Sequence, residues 1–247
     1  MVEKKTFLVY RKSVDDNKPR YERYEVPVVP GMSILDALFY IQDHYTDLAF
    51  RYACRGAICG SCGMTIDKYP RLACRTQVSQ VKSEKKPKLP DLVFGEIEWD
   101  EEREILIEPL PNMEVIIDLV VDMEPFWNFY QEVKPYFTRE WKDAAPESQQ
   151  SPEDAKSIEN LVYCILCGLC WTCPVSGKSK NYLGPAALAK SYRFVADTRL
   201  SESHRHTVID RIMKNDGVPA CEKIYACNRV CPKGVKPGTA IKSLREM

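Results

Sequence analysis

The run Cys164-Ile-Leu-Cys167-Gly-Leu-Cys170-Trp-Thr-Cys173-Pro174 decides how the rest of the chain reads. Four cysteines fall three residues apart and a proline follows the last. A second run, Cys221-Glu-Lys-Ile224-Tyr-Ala-Cys227-Asn-Arg-Val-Cys231-Pro232, lies downstream. Paired runs of the form C-x2-C-x2-C-x3-C-P hold two iron–sulfur clusters, and the fourth Cys of each run ligates the other cluster. Crossing the fourth ligands assigns Cys164, Cys167, Cys170 and Cys231 to a [4Fe-4S] cluster. Cys173, Cys221 and Cys227 remain for the other, because Ile224 stands where its next ligand belongs. Three thiolates and an empty corner point to [3Fe-4S]. The competing reading is zinc, which takes four ligands from paired knuckles; seven cysteines divide badly into fours.

Upstream, Cys54-Arg-Gly-Ala-Ile-Cys59-Gly-Ser-Cys62-Gly is followed by Cys74. C-x4-C-x2-C with a distant fourth Cys is the plant-type [2Fe-2S] spacing. A loop wrapped round a compact anionic cluster needs small residues, and Gly56, Gly60, Ser61 and Gly63 supply them. Backbone N–H groups can then approach the sulfurs and raise the reduction potential. Arg55 and Arg75 flank two ligands, either offsetting cluster charge or simply solvated. The three groups use four, four and three cysteines, which accounts for all 11. None is left as a nucleophile or redox thiol, so the sequence assigns no catalytic residue.

The bulk composition fits this picture. A chain of 247 residues with 45% apolar content can build two domains of ordinary size. Lys+Arg and Asp+Glu are equal at 35, so no net field points to nucleic acid or an anionic membrane. An odd number of cysteines, with a strand-like start and no secretory pattern, argues for a reducing compartment over a disulfide framework. No stretch approaches the roughly 20 apolar residues of a membrane span. Any membrane contact would go through a partner chain.

In the first half, residues 4–11 and 21–29 read as strands joined by a turn at Asp15-Asp16-Asn17 and Pro19. Ser33 can cap a helix over 34–45, where Ile34, Leu35, Leu38 and Ile41 recur at helical spacing. Strand, strand, helix is how a β-grasp domain begins. His44, near the end of that helix, reads as a partly exposed C-terminal residue. Residues 82–104 alternate in charge, carry prolines and read as an exposed loop or arm. Residues 105–107 complete the sheet, and Pro109-Leu-Pro111 ends it.

In the second half, residues 124–141 carry an aromatic stripe of Phe126, Trp127, Tyr130 and Phe137, which suits helix packing. Residues 143–151 read as a polar linker. Ser151-Pro152-Glu153-Asp154 resembles a capping box with Pro in the first turn, leading a helix toward Cys164. Helices follow over 185–197 and 204–214, the latter stopped by Asn215-Asp-Gly217, and Pro237-Gly238 precedes a short final one. His204 and His206 read as a polar helix start, having no carboxylate or Cys partner at useful spacing. The fold class is α+β. An N-terminal β-grasp [2Fe-2S] ferredoxin-like domain spans 1–122. A C-terminal all-helical, bacterial-ferredoxin-like domain spans 123–247 and holds the other two clusters.

By these residues the chain resembles the iron–sulfur subunit of succinate dehydrogenases and fumarate reductases. The resemblance rests on Pro30-Gly-Met-Ser-Ile-Leu-Asp-Ala-Leu, Cys54-Arg-Gly-Ala-Ile-Cys-Gly-Ser-Cys-Gly-Met, Leu72-Ala-Cys-Arg-Thr and Pro109-Leu-Pro. It continues through Asp118-Leu-Val-Val-Asp, Cys164-Ile-Leu-Cys-Gly, Gly184-Pro-Ala-Ala-Leu and Cys231-Pro-Lys-Gly. It implies a respiratory electron-transfer subunit of an oxidoreductase, with the same cluster ligands. The implied partners are an FAD-containing dicarboxylate subunit and an integral-membrane anchor, in some cases a cytochrome b with haem b. A quinone accepts or supplies the electrons, and the subunit sits peripherally on the cytoplasmic face of the inner membrane. No dicarboxylate activity is expected of this chain alone.

Three departures stand out. Only Trp171 and Thr172 separate Cys170 from Cys173, where the family usually has three residues. Val175-Ser-Gly-Lys-Ser-Lys follows Cys-Pro without the tryptophan of many ubiquinone-reducing members, and Glu222 follows Cys221 where some members have His; both favour menaquinone and a fumarate-reductase-like member. Residues 82–104 exceed the usual connection and read as an extra arm. Two other functional classes fit less well. A soluble multi-cluster ferredoxin-type carrier would usually need fewer clusters and a charged docking face. A subunit feeding a thiol or heterodisulfide module would need further Cys-rich sequence. Iron–sulfur potentials span roughly −700 to +450 mV, so ligands alone do not set the direction of electron flow.

Overall fold

A computed structural model of the chain describes residues 3–15, 18–83, 97–138 and 147–247. Residues 16 and 17 of the expected first turn, 84–96 of the expected arm and 143–146 of the expected linker lie outside the described residues. The chain divides into two compact units, residues 1–123 with 167–172, and 124–166 with 173–247. The segment 167–172, which the sequence places within the second half, therefore packs with the first unit.

The first unit is built on a five-stranded mixed sheet. Strands β1 (Glu3–Arg11) and β2 (Arg20–Val28) form an antiparallel hairpin from Glu3 opposite Val28 to Arg11 opposite Arg20. Strands β3 (Gly63–Ile66) and β4 (Tyr69–Leu72) form a second hairpin. Strand β5 (Glu104–Glu108) runs between them, parallel to β1 and antiparallel to β3, giving the order β2-β1-β5-β3-β4. Phe7, Leu8, Val9, Ile66, Ile105, Leu106 and Ile107 are all buried. Such near-continuous apolar runs suit strands covered on both faces.

Helix α1 (Ile34–His44) starts where the sequence places it. Ser33 Oγ accepts from Asp36 N at 3.2 Å, and Asp36 Oδ2 accepts from Ser33 N at 2.9 Å, closing a reciprocal capping box. Ile34, Leu35, Leu38 and Ile41 bury one face. His44 ends the helix, exposed, with Nδ1 2.9 Å from Tyr40 O. A short helix α2 (Val78–Ser83) follows, and β6 (Val115–Ile117) and β7 (Val120–Val121) make a small separate ribbon.

The turn of that ribbon ties the unit together. Asp118 Oδ1 accepts from Arg11 Nε and Lys12 N, both at 3.0 Å, and Oδ2 accepts from Ala49 N at 2.9 Å. A second buried pair joins the two hairpins to β5: Lys68 Nζ lies 2.8 Å from each oxygen of Glu108, and Tyr21 Oη donates to Glu108 Oε1 at 2.6 Å.

The second unit is helical among its described residues. It comprises α3 (Glu124–Glu132), α4 (Pro152–Val162), α5 (Pro174–Lys178), α6 (Gly184–Val195), α7 (Glu202–Ile212), α8 (Ala226–Arg229) and α9 (Pro237–Arg245). Ser151 Oγ caps α4 by accepting from Asp154 N at 3.1 Å, with Pro in the first turn. Ile158, Leu161, Ala189, Val235 and Ala240 form a core cluster, and Cys164 and Cys231 pack against it. Of the aromatic stripe, Phe126 is buried while Trp127 and Phe137 remain partly exposed. His204 is buried rather than a solvated helix start: its Nε2 pairs with Lys134 O at 3.1 Å and its ring packs against Tyr136.

Candidate metal centres

The structure gathers the cysteines from short backbone segments. In the first unit, Cys54, Cys59 and Cys62 sit on the loop leading into β3, and Cys74 follows β4. The amides of Gly56, Ile58 and Cys59 point at Cys54 Sγ at 3.3, 3.3 and 3.2 Å. Cys54 N lies 3.5 Å from Cys59 Sγ, and Cys74 N 3.5 Å from Cys62 Sγ. Converging amides are what an anionic sulfur needs. The loop reaches this shape with Arg55, Ala57 and Gly60 at φ of 54°, 56° and 78°. Two non-glycine residues thus take left-handed backbone, whereas a side chain at Gly56 would meet only ordinary contacts. Gly63 is small for a different reason: a Cβ there would come 3.2 Å from Cys167 O and 3.3 Å from Leu169 Cδ2. The exposed Arg55 guanidinium stacks on Phe39 at 4.6 Å and Tyr52 at 5.5 Å.

The thiols of this group are tuned in opposite senses. Backbone N–H from Cys54, with the Ser61 hydroxyl and amide, pulls Cys59 down to about 6. Burial pushes Cys62 up to about 12. Cys54 and Cys59 are exposed and Cys62 is buried.

In the second unit, the Cys231 thiolate is near enough to disfavour that of Cys164. Burial is the larger force raising Cys164, opposed by the Leu166 amide and the Lys190 ammonium. Val235 N donates to Cys231 Sγ at 3.4 Å. Cys167 and Cys170 lie in the 167–172 segment of the first unit. There a 3-10 turn, Leu169–Thr172, is held by Thr172 Oγ1 donating to Leu169 O at 2.7 Å. Asn112 and Trp171 exchange hydrogen bonds, Nδ2 to Trp171 O at 3.1 Å and Nε1 to Asn112 O at 3.3 Å.

Cys173, Cys221 and Cys227 form the third group. All three act electrostatically on the buried phenol of Tyr182, whose pKa burial and their charges raise. Burial pushes Cys173 up, opposed by the Ser176 hydroxyl, whose Oγ lies 3.2 Å from the sulfur. Burial, then Cys173 and Cys221, push Cys227 to about 12, opposed by the amides of Gly238 and Asn228. Gly238 approaches closely: a Cβ there would meet Tyr225 Cδ1 at 2.8 Å, Asn228 Oδ1 at 3.1 Å and Cys227 Sγ at 3.3 Å. Arg245, in α9, ties the backbone at the third group, with Nη2 donating to Cys221 O at 2.5 Å and Val218 O at 2.8 Å. Ile224 is 42% exposed and lies outside this cradle's buried part.

These surroundings fit clusters. Buried thiolates are costly until a cationic iron core compensates them, and amides aimed at sulfur stabilise the ligated form. Among the described residues, no group of three or more His, Cys, Asp or Glu is arranged to hold a single metal ion. Nor is any described helix long and apolar enough to cross a membrane. Tyr182, Ser176, Gly238, Arg245 and Asn112 were not legible as site residues. None lies within the cysteine runs, and only Gly238, between Pro237 and Thr239, stands at a recognisable turn.

Fold and site together define an α+β electron-transfer protein, with a β-grasp unit and a helical unit each supplying cysteine cradles. A 2Fe-2S iron-sulfur cluster binding domain is matched over residues 6–128 and a 4Fe-4S dicluster domain over 160–235. The chain is 34% identical to the succinate dehydrogenase iron-sulfur subunit of Coxiella burnetii, covering 97% of this chain and 95% of that one. It is 36% identical to the fumarate reductase iron-sulfur subunit of Mycobacterium tuberculosis, covering 94% and 87%. A chain of the Mycobacterium smegmatis Sdh1 complex in the apo form shares the fold, with TM-score 0.82, 24% identity and 100% and 95% coverage. The chain belongs to the family of succinate dehydrogenase and fumarate reductase iron–sulfur subunits.

Proposed function

We propose that the chain relays electrons between an FAD-containing dicarboxylate subunit and a membrane quinone, as the peripheral iron–sulfur subunit of a membrane-bound fumarate reductase or succinate dehydrogenase. In this reading Cys54, Cys59, Cys62 and Cys74 hold [2Fe-2S]. Cys164, Cys167, Cys170 and Cys231 hold [4Fe-4S], and Cys173, Cys221 and Cys227 hold [3Fe-4S]. Residues 1–122 form the domain of the first cluster and 123–247 carry the other two. An integral-membrane anchor, which in some such complexes is a cytochrome b carrying haem b, keeps the chain on the cytoplasmic face of the inner membrane. The quinone is menaquinone, supported by Val175-Ser-Gly-Lys-Ser-Lys after Pro174 and by Glu222 after Cys221.

The observation that carries the reading is the division of eleven cysteines into groups of four, four and three in family order. Bound clusters supply one-electron storage and transfer. The chain's own residues do the rest. Amides at Cys54 and Cys231 stabilise sulfur charge, burial at Cys62, Cys173 and Cys227 excludes water, and Arg245 fixes the backbone at Cys221.

Low-temperature EPR with an iron count on the anaerobically purified complex tests this. The expected result is an oxidised-state signal that vanishes on mild reduction, further signals on deeper reduction, and about nine non-haem irons, from two, four and three per cluster. No oxidised-state signal, with iron nearer ten, would overturn the three-iron assignment.

A further inference from the structure

We propose that Ser176 is a redox-tuning residue whose hydroxyl donates to the sulfur of Cys173 and raises the reduction potential of the third cluster. The inference rests on the assignment of Cys173, Cys221 and Cys227 to one cluster.

The geometry carries it. Ser176 Oγ lies 3.2 Å from Cys173 Sγ. With Cys173 a thiolate, only the hydroxyl has a proton to give. Tyr182, 1% exposed, is close enough to feel the charge of all three thiolates. Ser176, Cys173 and Cys227 are also buried. Water therefore does not compete at the Ser176–Cys173 contact, and a hydrogen bond in such surroundings is electrostatically strong.

Reduction adds one electron to the cluster and one unit of negative charge that its sulfurs share. An O–H···S bond strengthens as the acceptor gains charge. The Ser176 hydroxyl therefore favours the reduced form, and hydrogen bonds to the sulfurs are a recognised control on cluster potential. The backbone donors at Cys227 act in the same direction, but they belong to the chain path and no side-chain substitution removes them. Ser176 is a contact that evolution or an experimenter can delete by removing one oxygen. Arg245 keeps the backbone of Cys221 in place while this happens, through its bond to Cys221 O.

The test is an EPR-monitored redox titration of the purified complex carrying Ser176→Ala or Ser176→Thr. Ser176→Ala should lower the midpoint of the oxidised-state signal. The expected shift corresponds to about a tenfold change in the oxidised-to-reduced ratio at fixed potential, about 59 mV for one electron. Ser176→Thr should stay near the unsubstituted value, and the other two clusters should not move. A full signal that titrates at the same potential in every variant overturns the inference and leaves the cluster assignment standing. Absence of the oxidised-state signal from the unsubstituted complex overturns the assignment and the inference with it. Loss of three irons from Ser176→Ala makes that hydroxyl structural and overturns its tuning role.

Discussion

Replacing Asp118 by Ala should loosen the first unit at one identifiable place. Its carboxylate receives Arg11 Nε, Lys12 N and Ala49 N between 2.9 and 3.0 Å, and the residue is 4% exposed. Each stranded buried donor costs about 1–3 kcal/mol, and losing one partner of a buried ion pair about 3–5 kcal/mol. Arg11 keeps Glu22, Tyr24 and Asp47 O, at 3.1, 2.7 and 2.6 Å, so its charge is not abandoned. That places the effect near the lower end, about 3 kcal/mol. Since 1.4 kcal/mol is tenfold, local opening should become about a hundredfold more frequent. Hydrogen exchange with mass spectrometry on the full chain reads this directly, in peptides covering Lys12 and Ala49. Asp118→Asn, which keeps one acceptor oxygen, should fall between. A change below about threefold at both sites in Asp118→Ala would refute the reasoning, because 3 kcal/mol cannot hide there.

Lys68→Met should destabilise the chain by about 3–5 kcal/mol in chemical denaturation, since it strands Glu108, whose side chain is fully buried; adding Glu108→Gln should restore most of the loss, read as a double-mutant cycle. Gly238→Ala should cost the third cluster, because a Cβ would press on Tyr225 at 2.8 Å and Cys227 Sγ at 3.3 Å; iron should fall by about three, with the reduced [2Fe-2S] signal retained. Ile224→Cys should admit a fourth iron at the third cluster and lower its potential; an unchanged three-iron EPR signal would show that Ile224 does not define the vacant corner.

What the sequence made legible was local. The β1–β2 hairpin declares itself through two strand-like runs and the turn residues between them, and α1 through Ser33, Asp36 and four apolar residues at helical spacing. The cysteine groups are visible because their spacing is itself the constraint. The second hairpin was hidden. Its strands are four residues each, Pro70 interrupts the second, and the turn uses Asp67 and Lys68 at φ of 49° and 59°, where glycine or asparagine would have signalled it. The bias of 167–172 toward the first unit was also out of reach, since Asn112 and Trp171 meet across 59 positions. The burial of His204 depends likewise on a carbonyl 70 residues away. Periodicity reports which face is apolar, not which distant backbone will supply a partner.

The position of β5 sets an order of events during synthesis. Its residues 105–107 pair in parallel with residues 7–9, and it alone joins the two hairpins of the sheet. Until it leaves the ribosome, β1 and β3 each lack their inner neighbour. By then Cys54, Cys59, Cys62 and Cys74 have all been made. Such a long closure is slow by its topology, and it leaves an interval in which the cysteine loop is present but not yet clasped. Insertion of β5 is thus the step that turns two separate hairpins into a rigid frame around that loop.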